Sequence, residues 1–381
     1  MKILYICNEY PPYLYGGIGS FTRDIAESMQ EAGNTVEVWG IYHDITKDYR
    51  EILNGIIINR IKGLKKTGII SHFRYRIEFY FKLQSFLRNN KFDIVECQEW
   101  NGLLPFGLNH SGFVVRLHGA AIFFDKLLNR KGNFLTHFFE KMMIKHSKNL
   151  VAVSNFCGQQ TLRLCEIQKK EFQTIYNAVD VEKLQGFIEP SYQKYKIVFA
   201  NSVLPKKGVF ELVKSFNIIA KKFPDSTLHI IGKLNYCENQ INIKELLEST
   251  IDKKYADRLM IRGWLDSADD VFKELATAHV CVYPSHMEGF GIAPVEPMSM
   301  GKPVLFMKSG PGPEVLENKV SGLHIDSFCP KDIAEKIELV FNNNTLIERF
   351  QIEGPKRANL LFNKSTIFAK NNIDYYNRIL K

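Results

Sequence analysis

The segment VCVYPSHMEGFGIAPVEPMSMGKPV, running from Val280 to Val304, carries the pattern that decides the architecture. Val280–Tyr283 reads as a buried strand that stops at Pro284-Ser285. A glycine-rich turn follows, a helix is expected to open near Ile292, and another apolar run starts at Pro303. Strand, turn, helix and strand in so short a span belong to a parallel α/β sheet. Glu288 lies in the turn and Glu296 about one turn into the expected helix. A carboxylate can accept from both hydroxyls of a ribose or hexose diol. The turn Gly289-Phe290-Gly291 presents backbone N–H groups near a helix start, which suits an anion such as a diphosphate. Either glutamate alone would read as an ordinary surface residue.

The same alternation extends along nearly the whole chain. In the first half the strand candidates are Lys2–Asn8, Thr35–Ile41, Ile56–Ile61, Asp93–Cys97, Phe113–His118 and Leu150–Val153. Ile18–Glu31 and Phe73–Arg88 are helix candidates between them. A second series runs through Lys196–Ala200, Thr227–Ile231, Leu259–Ile261, Val280–Tyr283 and Pro303–Phe306. Gly186-Phe-Ile-Glu-Pro190 reads as the crossover between the two series. The expected architecture is α/β, with two Rossmann-like doubly wound domains facing a central cleft. Residues 1–186 form the first domain and 187–364 the second, and a helix over about 365–381 packs back on the first.

A chain of 381 residues is long enough for two such cores. With 45% hydrophobic and 24% charged residues it has the composition of a soluble globular protein. No apolar run approaches bilayer length, and Asn8, Glu9 and the prolines cut the opening apolar stretch too short for a secretory signal. Seven cysteines, odd in number and without a C-x-x-C pair, argue for free thiols in a reducing cytoplasm and against a zinc site. The formal charge of +9 favours anionic partners. Nucleotide phosphates and anionic lipid fit; nucleic acid does not, because no nucleic-acid-binding module is recognisable.

The spacing of Glu288 and Glu296 resembles the E-x7-E signature of glycosyltransferase group 1, a family of retaining enzymes with the GT-B fold. Further elements stand in that family's order: Gly16-Gly17-Ile18-Gly19, His118-Gly119, Val153-Ser154, Asn177-Ala178-Val179-Asp180, Pro205-Lys206-Lys207-Gly208, Gly263-Trp264 and Gly310-Pro-Gly-Pro-Glu314. The resemblance implies that Glu296 binds the ribose hydroxyls of a nucleotide-sugar donor. It implies that Glu288 contacts the donor sugar near the reacting carbon, helped by the amides of Phe290, Gly291 and Ile292. Lys207 would neutralise the diphosphate, Gly17 would let a backbone approach the phosphates, and His118 would hydrogen-bond a sugar hydroxyl. Relatives usually pair that lysine with an arginine after the first strand of the second domain. Here Ser202 stands in its place, a neutral hydroxyl instead of a planar cation, and Asn201 replaces the usual glycine. UDP is the expected nucleotide, on the habit of the family. The resemblance further implies a glycan or lipid-linked acceptor and a role in surface polysaccharide synthesis.

No cofactor is expected beyond the nucleotide-sugar co-substrate. No Asp-x-Asp pair marks a metal site, since Asp269-Asp270 reads as the start of a helix capped by Ser267. A nicotinamide oxidoreductase is disfavoured because Thr22 stands where the third glycine of its fingerprint belongs and the second strand ends without an acid. A phosphorylase or epimerase of the same broad fold, and a silent sugar- or lipid-binding protein, are the remaining alternatives. Finally, Arg60, Lys62, Lys65, Lys66, Arg74, Arg76, Lys82 and Arg88 oppose the single acid Glu78. Ile70, Phe73, Ile77, Tyr80 and Leu87 lie among them at helical spacing. Lys126 to Lys148 is a second basic segment, carrying Phe134, Phe138 and Phe139. Both suit reversible attachment to an anionic membrane, on the inner face of the cell membrane, or else a core-facing helix with a basic outer side.

Overall fold

The computed structural model describes residues 1–13, 16–63, 69–167, 169–189, 191–234 and 242–381, with the backbone alone for 69–72. Lys65, Lys66, Pro190 and Cys237 lie outside the described residues, as does the side chain of Ile70. The chain divides into two compact units, one of Met1–Asn177 with Ser365–Lys381 and the other of Ala178–Lys364.

The first unit is built on an eight-stranded sheet. Its strands are β1 (Lys2–Ile6), β2 (Thr35–Tyr42), β3 (Tyr49–Leu53), β4 (Ile56–Lys62), β5 (Ile94–Gln98), β6 (Phe113–Leu117), β7 (Asn149–Ala152) and β8 (Gln173–Thr174). They lie in the order β3-β4-β2-β1-β5-β6-β7-β8. All pairs are parallel except β3 with β4. The hairpin joining β3 to β4 turns on Asn54 and Gly55, both at positive φ, as a two-residue turn between twisted strands requires. The central strands are buried on both faces, which explains their nearly unbroken apolar runs. The helix Gly17–Glu31 covers one face with Phe21, Ile25 and Met29, four residues apart.

The second unit carries β9 (Lys196–Ala200), β10 (Thr227–Ile231), β11 (Leu259–Gly263), β12 (Val280–Tyr283), β13 (Val304–Met307) and β14 (Leu323–Ile325). This sheet is wholly parallel in the order β11-β10-β9-β12-β13-β14. Winding starts at β9, runs outward to β11, then returns to the other side of β9 and runs outward again. The strand order therefore reverses between β9 and β12. In the first unit it reverses between β1 and β5.

The division between the units falls earlier than the sequence suggested. Gly186 to Glu189 lie inside the second unit, because the helix Val181–Gln185 is already part of its core. Val181 and Leu184 are buried there, and Glu182 accepts a 2.9 Å bond from Asn363. Val179 pairs with the chain on either side of Asn363, donating to Phe362 and accepting from Lys364 at 2.9 Å each.

The returning helix Ala369–Leu380 belongs to the first unit and is fastened there by a buried polar cluster. Arg116 on β6 grips Glu96 on β5 through Nε and Nη2, at 2.6 and 3.1 Å, with both side chains fully buried. The second Glu96 oxygen accepts from the Tyr376 hydroxyl at 2.7 Å, and Arg116 also donates to Asn372 at 2.5 Å. Tyr5 on β1 completes the group, 3.1 Å from the Tyr376 hydroxyl. Burial first, and then the Glu96 charge, push the Tyr376 phenol well above its ordinary range. Arg116→Met leaves Glu96 buried without its cation, a change that costs about 3–5 kcal/mol. Thermal unfolding should show a clearly lowered midpoint, and hydrogen exchange should show residues 369–380 opening first. The double change Arg116→Met with Glu96→Leu should recover most of the loss.

Candidate active site

The carboxyl ends of β9 and β12 lie side by side because the two strands are hydrogen-bonded neighbours. Their following loops are locked together at several points. Gly208 has φ +70°, and a Cβ there would stand 1.8 Å from the Pro284 carbonyl oxygen, so only glycine fits. The amide of His286 donates to the Lys206 carbonyl at 2.9 Å. His286 Nε2 lies 3.1 Å from Glu211 Oε2 in the helix Val209–Lys222, and its ring stacks on Phe328. These contacts bring Lys207 Nζ to 2.6 Å from Glu288 Oε1. The same oxygen accepts from Ser285 Oγ at 2.8 Å. Glu288 is nearly buried, so its carboxylate is fixed in place by two donors.

Beyond Glu288 the loop doubles back. Phe290 is buried, and its ring packs against Phe362 with centroids 5.5 Å apart. Gly291 has φ +90°, and a Cβ on it would meet the Phe306 ring at 2.6 Å. The following helix opens at Val295, not at Ile292, and is only five residues long, Val295–Ser299. Pro294 and Pro297 account for the shift. Proline is tolerated in a first turn, whose amides have no intrahelical acceptor, but not further in. Glu296 is thus the second residue of a short helix, half-buried and without a full helix behind it.

Ser202 lies just past the end of β9, exposed, with its amide bonded to the Asn201 side chain at 2.8 Å. The Asn201 carbonyl sits where a Cβ on Gly232 would fall, 1.9 Å away, so the β9 and β10 loops also touch. Lys233 follows Gly232, and its carbonyl accepts from the Val203 amide at 3.1 Å. The second unit thus gathers Ser202, Lys207, Glu288 and the Phe290–Ile292 turn, with Glu296 following, at one sheet edge. Ser285, within the Val280–Val304 segment, is a site partner that nothing in the local sequence marks.

Gly17 and His118 belong to the first unit. Beyond its chain neighbours and its own helical turn, no described atom lies within 4 Å of where a Cβ on Gly17 would stand, so packing does not demand glycine there. His118 follows β6, its ring edge-on to Phe21 at 4.5 Å. Its amide donates to Glu99 Oε1 at 2.7 Å, and its Nε2 is shielded with no partner among the described residues. Burial, then the nearby Arg116 guanidinium, push its pKa down to about 3, so the imidazole is neutral at physiological pH. Burial likewise raises Glu99 to about 8.

Among the described residues no group of three or more His, Cys, Asp or Glu side chains is placed to hold a metal ion. Asp269 and Asp270 sit in the first turn of the helix Ala268–Ala276, with Ser267 capping it, and pair with Lys183 and Lys273.

Two family descriptions together account for most of the chain. Glycosyl transferases group 1 matches residues 181–357, and glycosyltransferase family 4 matches residues 15–183. An uncharacterized glycosyltransferase of Methanocaldococcus jannaschii is 22% identical over 359 residues, covering 90% of each chain. Sucrose-phosphate synthase from Thermosynechococcus elongatus superposes with a TM-score of 0.81 at 16% identity, covering 99% of this chain and 98% of that one. HepE of Anabaena, solved in complex with UDP and glucose, gives a TM-score of 0.68 at 16% identity over 98% of this chain and 99% of its own. With two doubly wound parallel sheets and the Lys207–Glu288 edge in the second, the fold is GT-B and the chain belongs to the group 1 family of glycosyltransferases.

Proposed function

We propose that the protein is a retaining hexosyltransferase that uses a UDP-sugar without a metal ion and delivers the sugar to a glycan or lipid-linked acceptor. The observation that carries this reading is the Lys207–Glu288 pair at the reversal point of the second sheet, with Glu296 eight residues on. Lys207 is the cation that meets the diphosphate. Binding the donor exchanges its bond to Glu288 for bonds to phosphate oxygens and frees the Glu288 carboxylate for sugar hydroxyls. Glu296 takes the ribose diol. In the transfer step the bond from the anomeric carbon to the phosphate oxygen breaks, and its electron pair leaves with UDP. The acceptor hydroxyl oxygen bonds the same carbon from the same face, and its proton passes to the departing phosphate. Negative charge grows on the diphosphate during this step, and Lys207 stabilises it there. Because Lys207 supplies that charge, the reaction should withstand chelators. UDP release that depends on an added acceptor is the assay; donor hydrolysis or epimerisation without acceptor would reverse the reading.

The division of labour between the two glutamates is directly measurable. Glu296→Ala should weaken UDP binding about tenfold or more, the loss of hydrogen bonds to a charged group. Glu288→Gln should leave UDP affinity unchanged or slightly tighter and lower turnover. Calorimetry with UDP separates them; equal loss in both variants would remove the assigned roles.

Ser202 leaves the diphosphate without the arginine usual in the family. Lys207→Ala should therefore weaken UDP binding about 10- to 100-fold, as expected for a lost charge-assisted bond. Ser202 is exposed, so Ser202→Arg has room and should tighten UDP. Wild-type affinity in Lys207→Ala would show that this lysine does not meet the phosphates.

Attachment to an anionic membrane is part of the same proposal. The helix Ile69–Asn89 has two apolar faces, one burying Tyr75, Phe79 and Leu83 and the other exposing Phe73, Ile77 and Phe81. On the helix Phe134–His146, Phe134 and Phe138 are exposed as well, and Phe73 and Phe138 both pack on Phe139. Two of the expected surface cations are in fact buried. Arg60 pairs with Glu51, and Arg76 turns inward to backbone carbonyls. Arg74, Arg88, Lys126, Arg130, Lys131 and Lys145 keep the surface basic. No helix of the described residues is long and apolar enough to span a bilayer. In flotation assays the protein should rise with anionic vesicles at low salt, stay down with neutral ones, and lose binding in Phe73→Ser/Phe81→Ser.

A further inference from the structure

Three loops of the second unit meet at one residue, His286, two positions before Glu288. Its amide donates to the Lys206 carbonyl at 2.9 Å, which ties it to the loop after β9. Its Nε2 lies 3.1 Å from Glu211 Oε2, in the first turn of the helix that this loop leads into. Its ring lies nearly flat on Phe328 in the loop after β14, with centroids 4.3 Å apart and planes inclined by 20°. Lys206 and Glu211 flank Lys207 in the chain. His286 thus grips the lysine's own loop at two points, from just beside the lysine's ion-pair partner.

The partners of His286 are themselves held. Burial works to raise the Glu211 carboxyl, but the bond to His286 and the residue's own amide outweigh it, and the group lies below its ordinary range. Glu211 is therefore an ionised acceptor, and the imidazole meets it with Nε2 as the donor. Phe328 is 67% exposed, but its turn is braced. Its amide donates to Asp326 Oδ1 at 3.1 Å, and Lys308 holds the other Asp326 oxygen at 2.8 Å. A ring so exposed buries little apolar area of its own, and the turn presents its face to the imidazole.

Lysine carries its charge on a flexible four-carbon stem. The 2.6 Å bond from Lys207 to Glu288 therefore depends on how the two loops are spaced, and not on the stem itself. Loops that are spaced before a ligand arrives need not be ordered at the expense of its binding.

We propose that His286 is a positioning residue for the donor, holding the loops of Lys207 and Glu288 in register so that the lysine is preset for a diphosphate. It acts through Lys207, by way of Glu211 and Phe328, and not by touching the phosphates. The assignment rests on the donor reading given above and extends it to a residue outside the glutamate pair.

The test uses the full chain and UDP, read by calorimetry beside thermal melting. His286→Ala should weaken UDP about three- to tenfold, because a loop no longer held must be ordered on binding. In a Lys207→Ala background the same change should cost less than about twofold, since the group it positions is gone. His286→Gln should return to within about twofold of wild type, because its amide nitrogen can donate to Glu211 as Nε2 does. Phe328→Ala removes an exposed ring and spares the core; it should weaken UDP in the same direction and be equally silent without Lys207. A lowered melting temperature with wild-type UDP affinity in His286→Ala and Phe328→Ala would make the role structural and overturn the assignment. So would a full-sized loss in the Lys207→Ala background, or an equal loss in His286→Gln. Wild-type UDP affinity in Lys207→Ala, or failure of the wild-type protein to bind UDP, would instead overturn the donor reading.

Discussion

A parallel sheet wound with right-handed crossovers cannot cover both of its faces without reversing direction at its first strand. That constraint acts twice in this chain, at β1/β5 and at β9/β12. At each reversal the loops leave neighbouring strands in opposite senses, so an opening at the carboxyl edge is unavoidable. What the sequence adds is the choice of side chains at the two openings. In the second unit they are Lys207 and Glu288, joined in an ion pair. In the first they are the rings of Tyr42, Tyr75 and Trp100, which line a cavity there. The two openings are thus lined differently, one by an ion pair and the other by aromatic rings.

Glycines with no room for a side chain hold the first of these in register. Gly208 against Pro284 and Gly232 against Asn201 let three loops approach within hydrogen-bonding distance of one another. A methyl group on Gly208 would push the loop that carries Lys207 away from Pro284 and so from the loop that carries Glu288. Gly17 is of another kind, since nothing described in the chain crowds it.

Much of this was legible in the residues, and what was not has definite physical reasons. The long buried strands announced themselves as apolar runs, whereas β8, with two residues, and β14, with three, are too short to make a pattern. The hairpin strand β3 is mostly exposed, but Asn54-Gly55 was a usable signal for it. The division between units was misplaced because Val181 and Leu184 look like any short apolar pair until their burial is known. Glu288 and Glu296 stood out together, but the ion pair that fixes Glu288 joins residues 81 positions apart, which no local pattern encodes. Arg60 and Arg76 counted as surface charges because their partners come from other segments: Glu51 across the β3–β4 hairpin and the Tyr10 carbonyl for Arg60, the Gly102 carbonyl for Arg76. The stripe with Phe73 and Ile77 was legible, but which side of that helix meets the core was not, because Tyr75, Phe79 and Leu83 form a second apolar face.

The position of the helix Ala369–Leu380 has a consequence for how the protein is made. The second unit is one continuous span, 178–364, while the first needs residues from both sides of it. As the chain emerges from the ribosome, Glu96 and Arg116 are available early, but Asn372 and Tyr376 follow nearly three hundred residues behind Glu96. Throughout that interval the pocket for the last helix stands open, with the Tyr5 hydroxyl and one Glu96 oxygen awaiting their bonds. The unit begun first is therefore completed last, and the second unit can finish folding before the sheet synthesised ahead of it is closed.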